Sequence, residues 1–286
     1  MPKVAINRFD VHYQQLGQGA DVVMLHGLFA SLAFWYFSAM PGLSERFRVT
    51  AYDQRGHGYT DIPNAGYTSS DMADDLHALL DQLQIERAHL VGHSFGGAVA
   101  LYYTLIHPER VLSLTLADAW VPSLQPAIPA GNSPHWEELR LGLRQAGTEV
   151  PENLPRVAFS FYEELARVEE LREANQLDPW NATLMTQWSE GSRIAKRWSQ
   201  LIHTTSAAQD MIAVADLTVA NIRQCTRPVL LMYGEYSGCL TTLHGLKENL
   251  PSCHEVIVPG VGHLHPLVKS DEFIHHLEQF IQSVPD

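Results

Sequence analysis

The sequence predicts an α/β fold: a mostly parallel eight-stranded sheet flanked by helices, with a helical cap inserted late in the chain. Short apolar runs of strand type alternate with amphipathic stretches, the order that builds a largely parallel sheet. Roughly a hundred residues separate the sixth apolar run from the seventh, far more than the short loops usual in such folds, which implies an inserted subdomain. The stretch Gly92-His93-Ser94-Phe95-Gly96 sets a serine between two glycines where a strand gives way to a helix.

The elements follow in order. Val4 to Ile6 and Val11 to Leu16 read as a hairpin, with Asn7-Arg8-Phe9-Asp10 supplying the turn. Val22 to Leu25 and Phe47 to Tyr52 are the third and fourth strands, the former apolar throughout, as suits a strand covered on both faces. Ser69 to Leu83 is a helix: Met72, Leu76, Leu79, Leu80 and Leu83 recur on one face behind a capping box from Thr68 to Asp71. Ala88 to Val91 leads into the serine turn, and Gly97 to Tyr103 continues beyond it as a helix. Val111 to Ala117, Pro228 to Tyr233 and His254 to Val258 complete the strands, and Asp271 to Gln282 closes the chain as an amphipathic helix.

These boundaries divide the chain into a core of residues 1–120 and 223–286 and a cap of residues 121–222. Within the cap, Trp136 to Arg144, Val157 to Ala174 and Ala182 to His203 read as helices, and prolines interrupt the first half. Arg193, Lys196 and Arg197 fall at helical spacing and read as a solvated face, or as a contact for an acidic partner or a carrier group.

Composition bounds the partners. A net charge of −13 opposes binding to nucleic acid phosphates or an anionic membrane surface. No apolar run approaches the roughly 20 residues that span a bilayer, and Met1 to Ile6 lacks the start of a signal peptide, so a cytoplasmic location is expected. Cys225, Cys239 and Cys253 show no C-x-x-C spacing and read as free thiols. The fifteen histidines show no H-E-x-x-H grouping and read mostly as surface or core residues.

With the serine turn, His26-Gly27 after the third strand, Asp53-x-Arg55-Gly56-x-Gly58 after the fourth, and Gly260-x-Gly262-His263 after the eighth, the chain resembles the α/β-hydrolase family over nearly its whole length. The resemblance implies a serine hydrolase in which Ser94 attacks a carbonyl carbon and His263 takes and returns its proton. It places the oxyanion hole on the backbone N–H groups of Leu28 and Phe95. His93 and His265 are neighbours with weaker claims, and Asp53, Arg55 and His57 read as residues that pin loops.

The acid departs from the family's usual pattern. Most members carry an aspartate three residues after the glycine ending the seventh strand, and here Gly234-Glu235-Tyr236-Ser237 has a serine there. The first reading takes Asp118, at the end of the sixth strand, as in the minority of the family that includes haloalkane dehalogenases and some polyketide thioesterases. Glu235 is the alternative acid, and a serine–histidine pair without an acid, or an inactive site, is the third.

Phe29, Trp35 and Trp120, with Phe34 and Phe95, lie near strand ends and suggest an aromatic substrate pocket, although aromatic residues more often fill cores. The leading reading is a carboxylic ester or thioester hydrolase working through an acyl-serine, without metal or organic cofactor, on a small acyl substrate, free or carrier-bound, as a monomer or homodimer. Carbon–carbon bond hydrolysis, lactone hydrolysis, acyl transfer and cofactor-free oxygenation use the same fold, and a non-catalytic small-molecule receptor is the reading from a different class.

Overall fold

A computed structural model describes residues 2–125 and 193–284. Its strands are β1 (Lys3–Ile6), β2 (Phe9–Leu16), β3 (Asp21–Leu25), β4 (Arg48–Tyr52), β5 (Ala88–His93), β6 (Val111–Ala117), β7 (Val229–Gly234) and β8 (His254–Val258). They form one eight-stranded sheet in the order β1-β2-β4-β3-β5-β6-β7-β8. β2 runs antiparallel to both its neighbours, and every pairing from β4 to β8 is parallel. The first turn is tighter than the sequence suggests: only Asn7 and Arg8 lie between the strands, and Asn7 takes φ +49°.

The helices are α1 (Ser69–Gln82), α2 (Phe95–Ile106), α3 (Arg193–Thr204), α4 (Leu240–Asn249) and α5 (Ser270–Ser283), with shorter turns at Ala33–Tyr36, Ala39–Leu43, Ala207–Asp210, Val219–Ile222 and His265–Val268. Thr68 caps α1 through the Asp71 amide while Asp71 answers to the Thr68 N–H, the expected reciprocal box. Met72, Leu76, Leu79 and Leu80 are buried, each stabilising the fold by roughly 1.5–3 kcal/mol relative to exposure. α5 buries Phe273, Leu277, Phe280 and Ile281. β3, β5 and β7 are buried along nearly their whole length, so the sheet centre is covered on both faces and its carboxyl ends are free to carry a site.

Of the cap, only residues 121–125 and 193–222 are described; the expected helices at 136–144 and 157–174 lie outside. α3 covers the latter part of the third and runs one residue past its expected end. Trp198 packs on Phe29, and the Arg197 side chain donates to the Gly56 and Thr60 carbonyls. Arg197 therefore reaches toward these core loops and is partly buried rather than standing on a solvated face. No helix among the described residues is long and apolar enough to cross a membrane.

Candidate active site

The site begins at the turn between β5 and α2. Ser94 has φ +53° and ψ −124°, a conformation that L-residues adopt at a cost of about 1–3 kcal/mol and keep only where surroundings enforce it. Enforcement is visible: the Ser94 N–H donates to Ala117 O at 3.2 Å, and Ser94 O accepts from Gly97 and Trp120 at 3.0 and 3.1 Å. Both flanking glycines are required. A Cβ on Gly92 would lie 2.5 Å from Gly96 O, and one on Gly96 2.4 Å from His26 O. The second contact shows how tightly the loop after β3, which carries Leu28, passes the start of α2.

That loop is held by His26. Gln54 N–H donates to its Nε2 at 3.1 Å, so Nδ1 carries the proton and donates to Gly27 O at 2.7 Å. Burial lowers the His26 pKa, keeping the ring neutral and this tautomer fixed. Leu28 and Phe95 are both buried, and the Phe95 amide belongs to the first turn of α2, where no intrahelical acceptor exists.

Asp53 accepts from Leu32 N at 2.7 Å, Tyr59 N at 2.8 Å and His12 Nδ1 at 2.6 Å. Burial pushes its carboxyl up, but the His12 contact and the amides outweigh it and hold it low. Arg55 grips Asp75 at 2.5 and 2.6 Å, and His57 Nδ1 donates to Arg55 O at 2.9 Å. All three residues tie loops together.

Asp118 stands at the end of β6 with φ +49° and is wholly buried. Its Oδ2 accepts from Gly234 N at 2.8 Å and lies 3.3 Å from His265 Nε2. Its Oδ1 accepts the Ser237 hydroxyl and lies 3.5 Å from His263 Nδ1. Asp118 and His263 are thus brought together. Glu235 is not: it is exposed, and its carboxylate accepts from Gly260 N at 2.8 Å.

His263 is buried, and its carbonyl accepts from His93 Nε2 at 2.9 Å, which ties the histidine loop to the residue before Ser94. Cys239 Sγ sits 3.6 Å from His263 Nδ1. Burial opposes charge on this ring, yet Cys239 and Asp118 together outweigh it, so His263 titrates well above the ordinary histidine range. His265 goes the other way: burial pushes it down to about 4, so it stays neutral beside Asp118.

Sequence reasoning did not foresee Cys239, nor His265 as a contact of Asp118. The serine at 237 was the available signal, because a hydroxyl in the usual carboxylate position is well placed to donate to a carboxylate that has moved next door.

The aromatic residues divide. Phe29, with φ +60°, lies 3.6 Å centroid to centroid from Trp198 and lines a cavity of about 310 Å³ with Tyr36, Phe37, His57 and Tyr59. Trp35 corrects the sequence reading: it is fully buried between Phe34 and Phe273 of α5, in the core. A short helix beside a catalytic loop looks equally apolar whichever way it faces. Trp120 is also fully buried, 6.3 Å from Phe95, with Nε1 donating to Gln125 O.

The strand order, the strained serine and the aspartate–histidine contact define a class, and comparison with known proteins agrees. Residues 22–269 match the alpha/beta hydrolase fold family. The chain belongs to that family and is an α/β-hydrolase. It is 26% identical over 98% of its length to "2-(acetamidomethylene)succinate hydrolase" from Mesorhizobium japonicum, covering 95% of that protein. It is 43% identical to "Putative carbamate hydrolase RutD" from Variovorax paradoxus, but that match spans 38% of this chain and only 42% of the relative. Among solved structures, Est816, described as an N-acyl homoserine lactone degrading enzyme, is 25% identical with a TM-score of 0.73, the match covering 98% of this chain and all of that one.

Proposed function

We propose that the protein hydrolyses a carboxylic ester or thioester, cyclic esters included, through an acyl-serine formed on Ser94. The observation that carries this reading is the forced positive φ of Ser94 on a turn whose histidine loop meets a buried carboxylate. A hydroxyl is a weak nucleophile until a base takes its proton, and His263 fills that role once its Nδ1–H is oriented by Asp118. The tetrahedral oxyanion is received by the amides of Leu28 and Phe95, donors fixed before the substrate arrives. Proton return from His263 then expels the alcohol or thiol, and water repeats the sequence on the acyl-serine.

A second reading is favoured by the alignment over nearly the whole chain with a relative named for an acetamido compound, since attack on an amide-type carbonyl needs the same parts. Phe29 and Trp198 form an aromatic wall beside the oxyanion loop and favour an apolar portion in the substrate.

The test is labelling with a fluorophosphonate, followed by turnover of a panel of p-nitrophenyl esters, acyl thioesters, N-acyl homoserine lactones and acetamido compounds. Wild type is expected to label and Ser94→Ala to remain unlabelled, with at least one ester class turned over. A folded wild type that neither labels nor turns over any of the panel would point to a small-molecule receptor and overturn the proposal.

A further inference from the structure

Asp118, Cys239 and His263 come from three separate segments, yet one ligand atom from each falls within 4.8 Å of the others, and all three residues are buried. We propose that they form a binding site for a thiophilic divalent cation of the zinc and cadmium type, and that occupation of this site arrests the serine. The second half rests on the proposed pairing of Ser94 with His263; the first half does not.

The distances fit such an ion. Tetrahedral zinc with bonds of about 2.3 Å to sulfur, 2.1 Å to nitrogen and 2.0 Å to oxygen sets its ligand atoms about 3.6 Å apart for N and S and about 3.3 Å apart for N and O. Here Cys239 Sγ lies 3.6 Å and Asp118 Oδ1 3.5 Å from His263 Nδ1. A thiolate, an imidazole and a carboxylate suit this class of ion and leave a fourth position for water. Outer contacts are also in place: Ser237 donates to Asp118 Oδ1, Gly234 N donates to Oδ2, and Cys239 N donates to Ser237 Oγ at 2.9 Å.

Binding requires no redox change. The Cys239 S–H bond breaks, a sulfur–metal bond forms and the proton leaves to solvent. His263 binds through the Nδ1 lone pair: the Nδ1 proton leaves to solvent from a charged ring, or is replaced by one at Nε2 in a neutral ring, so the bound imidazole carries its one proton on Nε2. An Nε2–H imidazole has no lone pair there to receive the Ser94 proton, and the base is lost while the fold is kept.

The test titrates the metal-free full chain with Cd²⁺ and follows the ultraviolet charge-transfer absorbance of a cadmium–thiolate bond, with ester hydrolysis measured in parallel. One cadmium per chain is expected, with turnover falling in step and recovering on chelation. The band is expected to vanish in Cys239→Ala and Cys239→Ser, to persist when Cys225 and Cys253 are both changed to Ala, and to need about tenfold more cadmium in Asp118→Asn. Circular dichroism confirms that the variants are folded. Absence of the band in wild type, or its persistence in folded Cys239 variants, overturns the site. A full band with undiminished turnover overturns the arrest. If no ester is turned over at all, absorbance alone still decides whether the cation binds.

Discussion

Replacing Asp118 by asparagine tests the wiring behind His263 most directly. The groups facing the carboxylate are donors: Gly234 N–H, the Ser237 hydroxyl and His263 Nδ1 at 3.5 Å, with His265 Nε2, whose hydrogen-bond partner is Met232 O at 3.0 Å, lying 3.3 Å away. An amide offers one acceptor oxygen in place of two, so its NH₂ must face a donor whichever way it turns. Placed toward His263 it favours the tautomer with the proton on Nε2, which cannot serve as base. The expected loss is about 10⁴-fold in turnover, equivalent to about 5.5 kcal/mol in the transition state. Stability should fall by about 1–3 kcal/mol for the donors left unpaired. The assay is kcat/KM on the best ester of the panel, with thermal unfolding of the same samples to separate chemistry from folding. Glu235→Gln, whose carboxylate serves only the Gly260 amide in the described contacts, should stay near wild type. A folded Asp118→Asn within a few-fold of wild type, alongside an inactive Glu235→Gln, would refute the reasoning.

Acid should destabilise the fold because burial pushes His57 down to about 3 and His265 to about 4, both from 6.5. Unfolding lets these rings bind protons, so the stability they lend is complete above about pH 6.5 and is lost as pH falls through the folded values, on the order of 3 kcal/mol for His265 alone. Urea unfolding at pH 7 and pH 5 measures this, and equal midpoints would contradict it. His263 works against this trend in the upper part of the window: its pKa is raised, so its contribution is fully present below about 6.5 and declines as pH rises toward its higher folded value. The rate of ester hydrolysis should climb with pH through an apparent pKa above 6.5, and Cys239→Ala should move that limb to lower pH by removing one of the groups that raise it; an unmoved limb excludes Cys239 as a cause. Gly96→Ala should cost about 1–3 kcal/mol and most of the activity, because its Cβ would meet His26 O at 2.4 Å and Leu25 O at 2.7 Å, both unyielding backbone. Wild-type turnover in that variant would show that the loop carrying Leu28 can move freely.

The parts legible in the sequence are those whose physics is local. The serine turn reads directly because Gly92 answers to Gly96 O, four residues on, and the α1 cap reads because Thr68 and Asp71 are three residues apart. Trp35 was illegible because a helix of only four residues, Ala33–Tyr36, is too short for periodicity to show which face meets the core. Arg197 misled for a related reason: a basic residue at helical spacing looks solvated until the carbonyls of Gly56 and Thr60, far away in sequence, are placed beside it.

The acid shows how a local absence carries non-local information. A serine at 237 cannot balance an imidazolium, and the carboxylate that faces His263 in the described contacts is Asp118, at the end of the adjacent strand. What the absence could not convey is its effect on the vacated place. With the carboxylate reaching across from β6, the loop after β7 contributes a hydroxyl that anchors Asp118 and a thiol that faces His263 Nδ1. The histidine thereby gains two groups that favour its charged form, and one nitrogen is shared between an oxygen and a sulfur. In the proposed triad, relocating the acid thus also raises the pH at which His263 becomes competent as a base.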